Sequence, residues 1–141
     1  MDGVKLNELK KIEHPQGNIY HAMKCTDPNF NGFGEAYFSS IHFGDIKGWK
    51  KHKEMHMNIL VPIGEIEFVI YDDRDNSKTK NKFYSTKLSQ DNYQRLTIAP
   101  GLWVAFRGCD SGPNMLLNIA SIVHKPSESI NISLKDITYK W

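Results

Sequence analysis

The sequence predicts a single all-β domain, built as a sandwich, a jelly roll or a closed barrel. Helical periodicity is weak almost everywhere, and short apolar or alternating segments are separated by turn signals such as Asn31-Gly32, Pro100-Gly101 and Gly112-Pro113. Many short strands with no long helix are typical of those three architectures. The 141 residues have the length of one domain, residues 1–141, and can bury a core without disulfide bonds.

Candidate strands follow one another along the chain. The clearest is Glu65–Tyr71, in which Ile66, Phe68 and Ile70 share one face by period-two alternation. The other candidates are Asn18–Lys24, Glu35–Phe43, Met57–Ile63, Phe83–Leu88, Arg95–Ile98, Leu102–Arg107 and Met115–Val123. Residues 1–12 hold either a helical turn or a strand that packs on a partner. A C-terminal tail with a few Ile and Leu side chains is expected to pack on the barrel.

Composition and charge exclude several classes of protein. Apolar residues make up 40% and charged residues 24%, as in ordinary soluble proteins. The formal net charge of +2 is too small to indicate a nucleic-acid reader. Cys25 and Cys109 form no disulfide framework, the N-terminus resembles no signal peptide, and no apolar run approaches the roughly 20 residues that span a bilayer. The expected location is therefore cytoplasmic.

The densest candidate site is the stretch 47–58, which holds four lysines and two histidines before an apolar strand. In an extended chain Lys50 and His52 point the same way, as do His56 and Asn58. Lys47, Lys50 and His52 are the favoured functional candidates because they lead into a strand that must line the interior. The remaining two lysines of the stretch fit solvent-exposed positions equally well.

A metal site built on His52 and His56 is not favoured. Two histidines four residues apart share a zinc ion on a helix, but the general base of the zinc-protease motif is replaced here by Lys53. On a strand the same spacing covers about 13 Å, too far for one ion. We therefore expect no bound metal.

A second candidate cluster lies in residues 100–107 and on the strand after it. Trp103 and Phe106 are either core aromatics or a platform for a sugar or base ring. Arg107 either faces solvent or clamps a phosphate with its planar fork. Asn118, inside an apolar strand, needs a partner, which is either backbone or a ligand hydroxyl. Gly-rich phosphate loops, Gly-x-Ser-x-Gly elbows and Cys-x-x-Cys pairs are absent from the sequence.

Two motifs resemble those of the sugar-nucleotide cupins, the dTDP-4-dehydrorhamnose 3,5-epimerases and their 3,4-ketoisomerase relatives. The first family motif is Arg-Gly-x-His followed by a strand, a glycine and a second strand that ends in Asp. It is similar to Lys47-Gly48-Trp49-Lys50 followed by Asn58–Ile63, Gly64 and the strand that ends at Asp72. Their Pro-Pro-Gly with following aromatics is similar to Ala99-Pro100-Gly101 with Trp103 and Phe106. The resemblance covers about residues 14–126 and implies a cupin-type double-stranded β-helix, a jelly-roll barrel.

The sequence also departs from the family pattern. The catalytic histidine falls on Lys50, while the second histidine of the ketoisomerases is present as His52. The histidine after Pro-Gly falls near Val104, and the tyrosine acid falls near Leu117 or Asn118. Metal cupins use four ligands, of which two are replaced here, so the resemblance likewise implies no metal and no cofactor.

The resemblance implies an epimerase that acts on C3, C5 or both of a 4-keto-6-deoxyhexose carried on a nucleoside diphosphate. The alternatives are a 3,4-ketoisomerase of the same substrates and a sugar-binding cupin without catalysis. His52 is the expected base, and Lys50 either stabilises the enolate oxygen or is itself the base. The acid is one of three tyrosines, Tyr37, Tyr71 or Tyr84, with Tyr71 favoured.

The other expected contacts follow from the same resemblance. Lys47 and Arg107 are assigned to the diphosphate, Asn58 and Asn118 to sugar hydroxyls, and His56 to the substrate without a specified group. Cupins of this family pair as homodimers, and the expected interface elements are residues 1–12 and 34–43. The pathways served are those of deoxysugars, lipopolysaccharide O-antigen and other surface polysaccharides.

Overall fold

The computed structural model describes residues 1–141 and is an all-β protein of twelve strands. The strands are β1 (Val4–Glu8), β2 (Lys11–Ile12), β3 (Ile19–Tyr20), β4 (Glu35–Ile41), β5 (Ile46–His52), β6 (Met57–Ile63), β7 (Glu65–Tyr71), β8 (Phe83–Ser89), β9 (Gln94–Ile98), β10 (Trp103–Gly108), β11 (Asn114–Ala120) and β12 (Ser129–Asn131). One 3₁₀ turn, Pro126–Glu128, precedes β12. The chain contains no helix with the length and apolar character needed to cross a membrane.

Ten of the strands form two antiparallel five-stranded sheets. The first sheet has the order β1-β9-β6-β11-β4, and the second has the order β12-β5-β10-β7-β8. The inner faces of the two sheets meet in one apolar core, because alternate side chains on each strand point inward. The predicted jelly-roll barrel is confirmed, and a separate hairpin of β2 and β3 lies outside it.

The period-two reading of Glu65–Tyr71 is confirmed. Ile66, Phe68 and Ile70 are fully buried in the core between the sheets, whereas Val69 and Tyr71 lie on the outer face of the second sheet. This alternation results from the pleat, which sends successive side chains to opposite faces.

Of the two readings of residues 1–12, a helical turn or a strand, the strand is confirmed, whereas the predicted strand that follows it is shorter in the structure. Residues 1–12 contain strand β1, which pairs with β9 of its own chain through Val4↔Ile98 and Glu8↔Gln94. The predicted strand Asn18–Lys24 shortens to the two residues of β3, because Arg95 takes the carbonyl of Ala22 as a side-chain acceptor and no neighbouring strand pairs there.

The C-terminal tail packs on the outer face of the second sheet, as its apolar residues predicted. The indole of Trp49 donates from Nε1 to the carbonyl of Ile137 at 3.0 Å, and its ring lies 6.5 Å from that of Trp141. Trp103 and Val69 complete the buried part of this outer cluster. The tail thereby fixes the path of the preceding residues 126–131, which run alongside β5.

Gly48 marks a close approach between β5 and β10. Its φ is +144°, and a Cβ built on it would lie 2.4 Å from the Cβ of Ala105. We expect Gly48→Ala to lower the free energy of unfolding by about 3 kcal/mol, since both the backbone conformation and the space oppose a side chain. Chemical denaturation measures this loss.

The control for that experiment is Gly44→Ala. Gly44 also has a positive φ, +77°, but no atom lies within 4 Å of its added Cβ. Its substitution should cost only the backbone penalty of about 1–2 kcal/mol. Equal losses in the two variants would contradict the close-packing account of Gly48.

Candidate functional site

A pocket of about 330 Å³ opens between the two sheets. Both polar and apolar side chains line it. The lining residues are Tyr37, Ser39, Lys47, Gly48, Lys50, His52, Met57, Ile59, Val104, Phe106, Leu116, Asn118 and Asn131. A largely apolar cavity with a few convergent polar groups is the usual form of a small-molecule site.

Strand β5 delivers Lys50 and His52 to this pocket by its alternation. The intervening Lys51 points outward, where its Nζ lies 2.8 Å from the carboxylate of Asp73 and 4.5 Å from the ring centroid of Trp103. Trp49 also points outward, into the cluster beneath the C-terminal tail. The outward contacts of Trp49 and Lys51 therefore orient Lys50 and His52 toward the pocket.

His52 is held by a buried carboxylate, that of Glu128. Its Nδ1 contacts Oε1 of Glu128, and both side chains are only 3% exposed. The other carboxylate oxygen accepts from the backbone N–H groups of Lys53, Glu54 and Met55 at 3.2–3.3 Å. Because an ionised carboxylate only accepts, Nδ1 of His52 carries the proton and Nε2 keeps its lone pair for the pocket.

The environment keeps this pair in the protonation state that a general base needs. Burial lowers the pKa of His52, and the hydrogen bond to Glu128 offsets that effect only in part. Burial alone would raise the pKa of Glu128, but the hydrogen bonds from His52 and from the backbone outweigh it and lower the pKa. The result is a neutral imidazole beside an ionised carboxylate at neutral pH.

Positive charge collects along the same wall. Lys50 is half-buried in the pocket and makes no side-chain hydrogen bond, and Lys47 donates from Nζ to the carbonyl of Ser40 at 2.6 Å. The carboxylate of Glu128 is already occupied by His52 and the backbone. Asn131 of β12, which pairs with Lys50, adds a neutral polar group. The wall thus favours an anionic ligand.

The opposite wall presents the phenol of Tyr37. Its oxygen accepts a hydrogen bond from Nδ2 of Asn118 at 3.0 Å, and Oδ1 of Asn118 accepts from the backbone N–H of Asn58 at 3.1 Å. The amide orientation of Asn118 is therefore determined by its two partners. Since the Tyr37 oxygen accepts there, its own proton remains available to a ligand.

The predicted acid Tyr71 does not lie in this pocket. It belongs to the outer cluster of the second sheet, stacks on Phe83 at 4.7 Å between ring centroids, and its hydroxyl donates to Asn81 at 3.2 Å. The pleat that buries Ile70 turns its neighbour outward. Of the three candidate tyrosines, Tyr37 is the one that lines the pocket.

Three predicted substrate contacts also lie outside the pocket. Asn58 is fully buried and bonded to Thr97 and Ile119, so it joins strands of the first sheet. Arg107 pairs with Glu67 at 2.6 Å on the outer face of the second sheet, and the ring of His56 is not among the pocket lining. Of the predicted substrate contacts, Lys47 and Asn118 line the pocket.

Sequence reasoning missed Glu128 and Asn131. Both follow Pro126 in a polar segment that carries no periodic signal. The one available signal is a lone acid next to an apolar tail, which is too common to single out a residue. No group of three or more histidine, cysteine or acidic side chains is placed to hold a metal ion.

Comparisons with known proteins identify relatives of the chain. No protein-family model matches the chain. The crystal structure of a dTDP-sugar isomerase from Desulfovibrio desulfuricans G20 is 34% identical and superposes with a TM-score of 0.91, covering 94% of this chain and 85% of that one. The chain belongs to the family of dTDP-sugar isomerases. The resemblance inferred from the sequence motifs is thereby confirmed.

Two further relatives of this chain are named for polysaccharide and glycan biosynthesis. The spore coat polysaccharide biosynthesis protein SpsL of Bacillus subtilis is 26% identical over 128 residues, which cover 91% of this chain and 85% of SpsL. The probable low-salt glycan biosynthesis epimerase Agl13 of Haloferax volcanii is 30% identical over 84 residues, covering 59% of this chain and 54% of Agl13.

Proposed function

We propose that this family member epimerises a 4-keto-6-deoxyhexose carried on a nucleoside diphosphate, for the synthesis of a surface polysaccharide. The observation that carries the proposal is the placement of His52, bonded to Glu128, in the second sheet and of Tyr37 in the first, where both line one pocket. Inversion at carbon requires a base on one face of the sugar and an acid on the other, and the two sheets supply them.

The proposed reaction begins with a proton transfer to His52. Its Nε2 takes the proton from the carbon beside the ketone, and the C–H electron pair becomes the carbon–carbon double bond of an enolate. Lys50 stabilises the negative charge on the enolate oxygen. Tyr37 then gives its proton to the opposite face of the same carbon, which restores the ketone with inverted configuration. Solvent afterwards returns Tyr37 and His52 to their starting states.

Substrate charge supports the same assignment. A nucleoside diphosphate brings two negative phosphates, and Lys47 and Lys50 are the cationic side chains of the pocket. Lys47 already reaches an oxygen acceptor, the carbonyl of Ser40, and can exchange it for a phosphate oxygen. Asn131 is a neutral polar side chain of the pocket that is free to contact a sugar hydroxyl, whereas Asn118 is held by Tyr37 and by the backbone of Asn58. Nucleotide sugars do not cross bilayers unaided, so the proposed location is the cytoplasm.

A homodimer is the proposed assembly. Strand β4 is an edge of the first sheet, and Phe38 on it is 63% exposed, with Phe33 and Phe43 similarly exposed before and after the strand. Exposed edge strands with large apolar side chains are usually covered by a partner. Size measurement in solution tests this assembly.

A 3,4-ketoisomerase of the same substrates is the second candidate. The observation that favours it is His52 two residues after Lys50, which is the spacing of the second histidine in those enzymes. The third candidate, a cupin that binds the sugar without turnover, rests on the replacement of the first histidine by Lys50. Both alternatives give His52 a role, as a base or as a ligand contact. Neither gives Tyr37 a role in inverting a sugar carbon.

The test of the proposed function is conversion of a panel of 4-keto-6-deoxyhexoses linked to thymidine, cytidine, guanosine or uridine diphosphate, followed by NMR of the sugar ring. An epimer that differs at C3 or C5 supports the proposal. A product with its ketone at C3 establishes the ketoisomerase instead. Nucleotide binding without any product establishes the non-catalytic cupin.

Replacing Glu128 by glutamine should reduce kcat by about 10- to 100-fold and move the acid limb of the pH profile to lower pH. The carboxylate raises the pKa of His52, so its loss lowers that pKa further below the usual value near 6.5. The base is active when neutral, so the rate falls as pH drops through the pKa. Profiles of kcat/KM for both proteins measure the shift, and an unchanged acid limb would exclude Glu128 as the positioning residue.

A further inference from the structure

A second cavity, of about 300 Å³, lies outside the barrel and apart from the substrate pocket. It is enclosed between the end of β1, the segment of residues 21–28 and strand β9. On β9, Leu96 and Ile98 face the core between the sheets, so their neighbour Arg95 faces the opposite side, toward this cavity. None of the proposed catalytic residues lines it.

Arg95 is buried in the wall of this cavity with part of its guanidinium unused. The residue is 1% exposed, and its Nη1 donates to the carbonyl of Ala22 at 3.0 Å and to Oδ2 of Asp27 at 2.7 Å. Its Nε has no hydrogen-bond partner, and Nη2 donates to no protein atom. Buried polar groups almost always have a partner, so this donor calls for an acceptor.

The two unused nitrogens share one edge of the planar group. Nε–H and one N–H of Nη2 point in parallel, which is the fork that carboxylates and phosphates accept in bidentate fashion. The two hydrogen bonds of Arg95 Nη1 have a structural role, because they hold residues 22–27 on the barrel. They leave the Nε and Nη2 edge without a structural purpose.

The charges around the cavity favour an anion. Asp27 is ionised, because its hydrogen bonds from the backbone of Lys24 and from Arg95 lower its pKa, so it balances Arg95. Lys10 and Lys24 on the rim are exposed and make no side-chain ion pair, whereas Glu8 supplies one negative charge. One positive charge thus remains for a ligand that carries a single oxyanion group.

We propose that this cavity binds the oxyanion group of a small molecule, a carboxylate or a phosphate, through Nε and Nη2 of Arg95 with Lys10 and Lys24 on the rim. The site is independent of the epimerase assignment, since the two cavities share no residue. Both ligand groups present paired oxygens to the same fork, and separate titrations distinguish them.

The test is NMR of the arginine Nε–H signals of the ¹⁵N-labelled protein during titration with sodium acetate and, separately, with inorganic phosphate at constant ionic strength. The chain has three arginines, and Arg74 already donates from Nε to Asp72 at 2.9 Å. We expect one signal, absent in Arg95→Lys, to shift saturably with one or both anions. The anion with the lower Kd names the ligand class.

A double variant keeps the proposal testable should Arg95→Lys fail to fold. Lys10→Ala with Lys24→Ala removes two exposed side chains and should raise the Kd about 3- to 10-fold. The control Lys78→Ala, an exposed lysine outside the cavity, should leave the Kd unchanged. Absence of a saturable shift with either anion, or a Kd indifferent to the rim lysines, would overturn the proposed site.

Discussion

His52→Asn should reduce kcat by about 100- to 10,000-fold, the range that removal of a general base produces. Asparagine keeps an N–H near the carboxylate of Glu128 but has no lone pair equivalent to Nε2. The buried pair therefore retains a hydrogen bond while the chemistry loses its base. The measurement is the rate of epimer formation under saturating substrate, with thermal unfolding as the check on folding.

The matched control is His56→Asn, four residues along the same stretch. His56 is half-buried outside the pocket, and its hydrogen bonds to Ser121 come from its backbone N–H and carbonyl. Its replacement should leave kcat within about twofold of the wild type. Activity of His52→Asn within a few-fold of the wild type would remove His52 as the base.

Tyr37→Phe should separate the two halves of the reaction. Loss of the phenol removes the proton donor, so the yield of inverted product should fall by about 100-fold or more. Proton abstraction by His52 does not need Tyr37, so exchange of the sugar proton with solvent should continue with retained configuration. Product analysis and proton exchange, measured on one sample by NMR, report the two steps separately.

Tyr71→Phe is the matched control for that experiment. Its hydroxyl contacts Asn81 on the outer face of the second sheet and lies away from the pocket. Its loss should leave both exchange and inversion unchanged. An equal loss of inversion in the Tyr71 variant, with Tyr37→Phe active, would return the acid to the residue that the sequence favoured.

Local patterns in the sequence predicted what depends on neighbouring residues. The alternation of Ile66, Phe68 and Ile70 identified a half-buried strand and its core face, which the structure confirms. The same period-two rule placed Lys50 and His52 on one side of an extended segment, where both line the pocket.

The remaining parts of the site depend on contacts between distant segments. Glu128 reaches His52 across 76 residues of sequence, and Asn118 reaches Tyr37 across 81 residues. Such pairs result from strand register and from the path of the C-terminal tail, which a single sequence does not encode locally. The sequence favours Tyr71 as the acid. Tyr71 alternates with the core residues of its strand, so the pleat turns its side chain to the outer face.

Residue type and the family resemblance also misled the assignment of two polar residues. Asn58 is polar and fully buried, but Thr97 and Ile119 satisfy it, so its burial serves the sheet. Arg107 has the planar fork suited to phosphate, yet Glu67 on the adjacent strand occupies it. Residue type alone does not distinguish a polar group satisfied by the protein from one available to a ligand.

The most direct test of the account is incubation of the protein with dTDP-4-keto-6-deoxyglucose in heavy water, followed by NMR of the sugar ring. We expect deuterium at a carbon beside the ketone, C3 or C5, with inverted configuration at that carbon in the product. The proposed epimerase would be contradicted if this sugar and every other nucleotide-linked 4-keto sugar of the panel were recovered without deuterium while nucleotide binding was measurable.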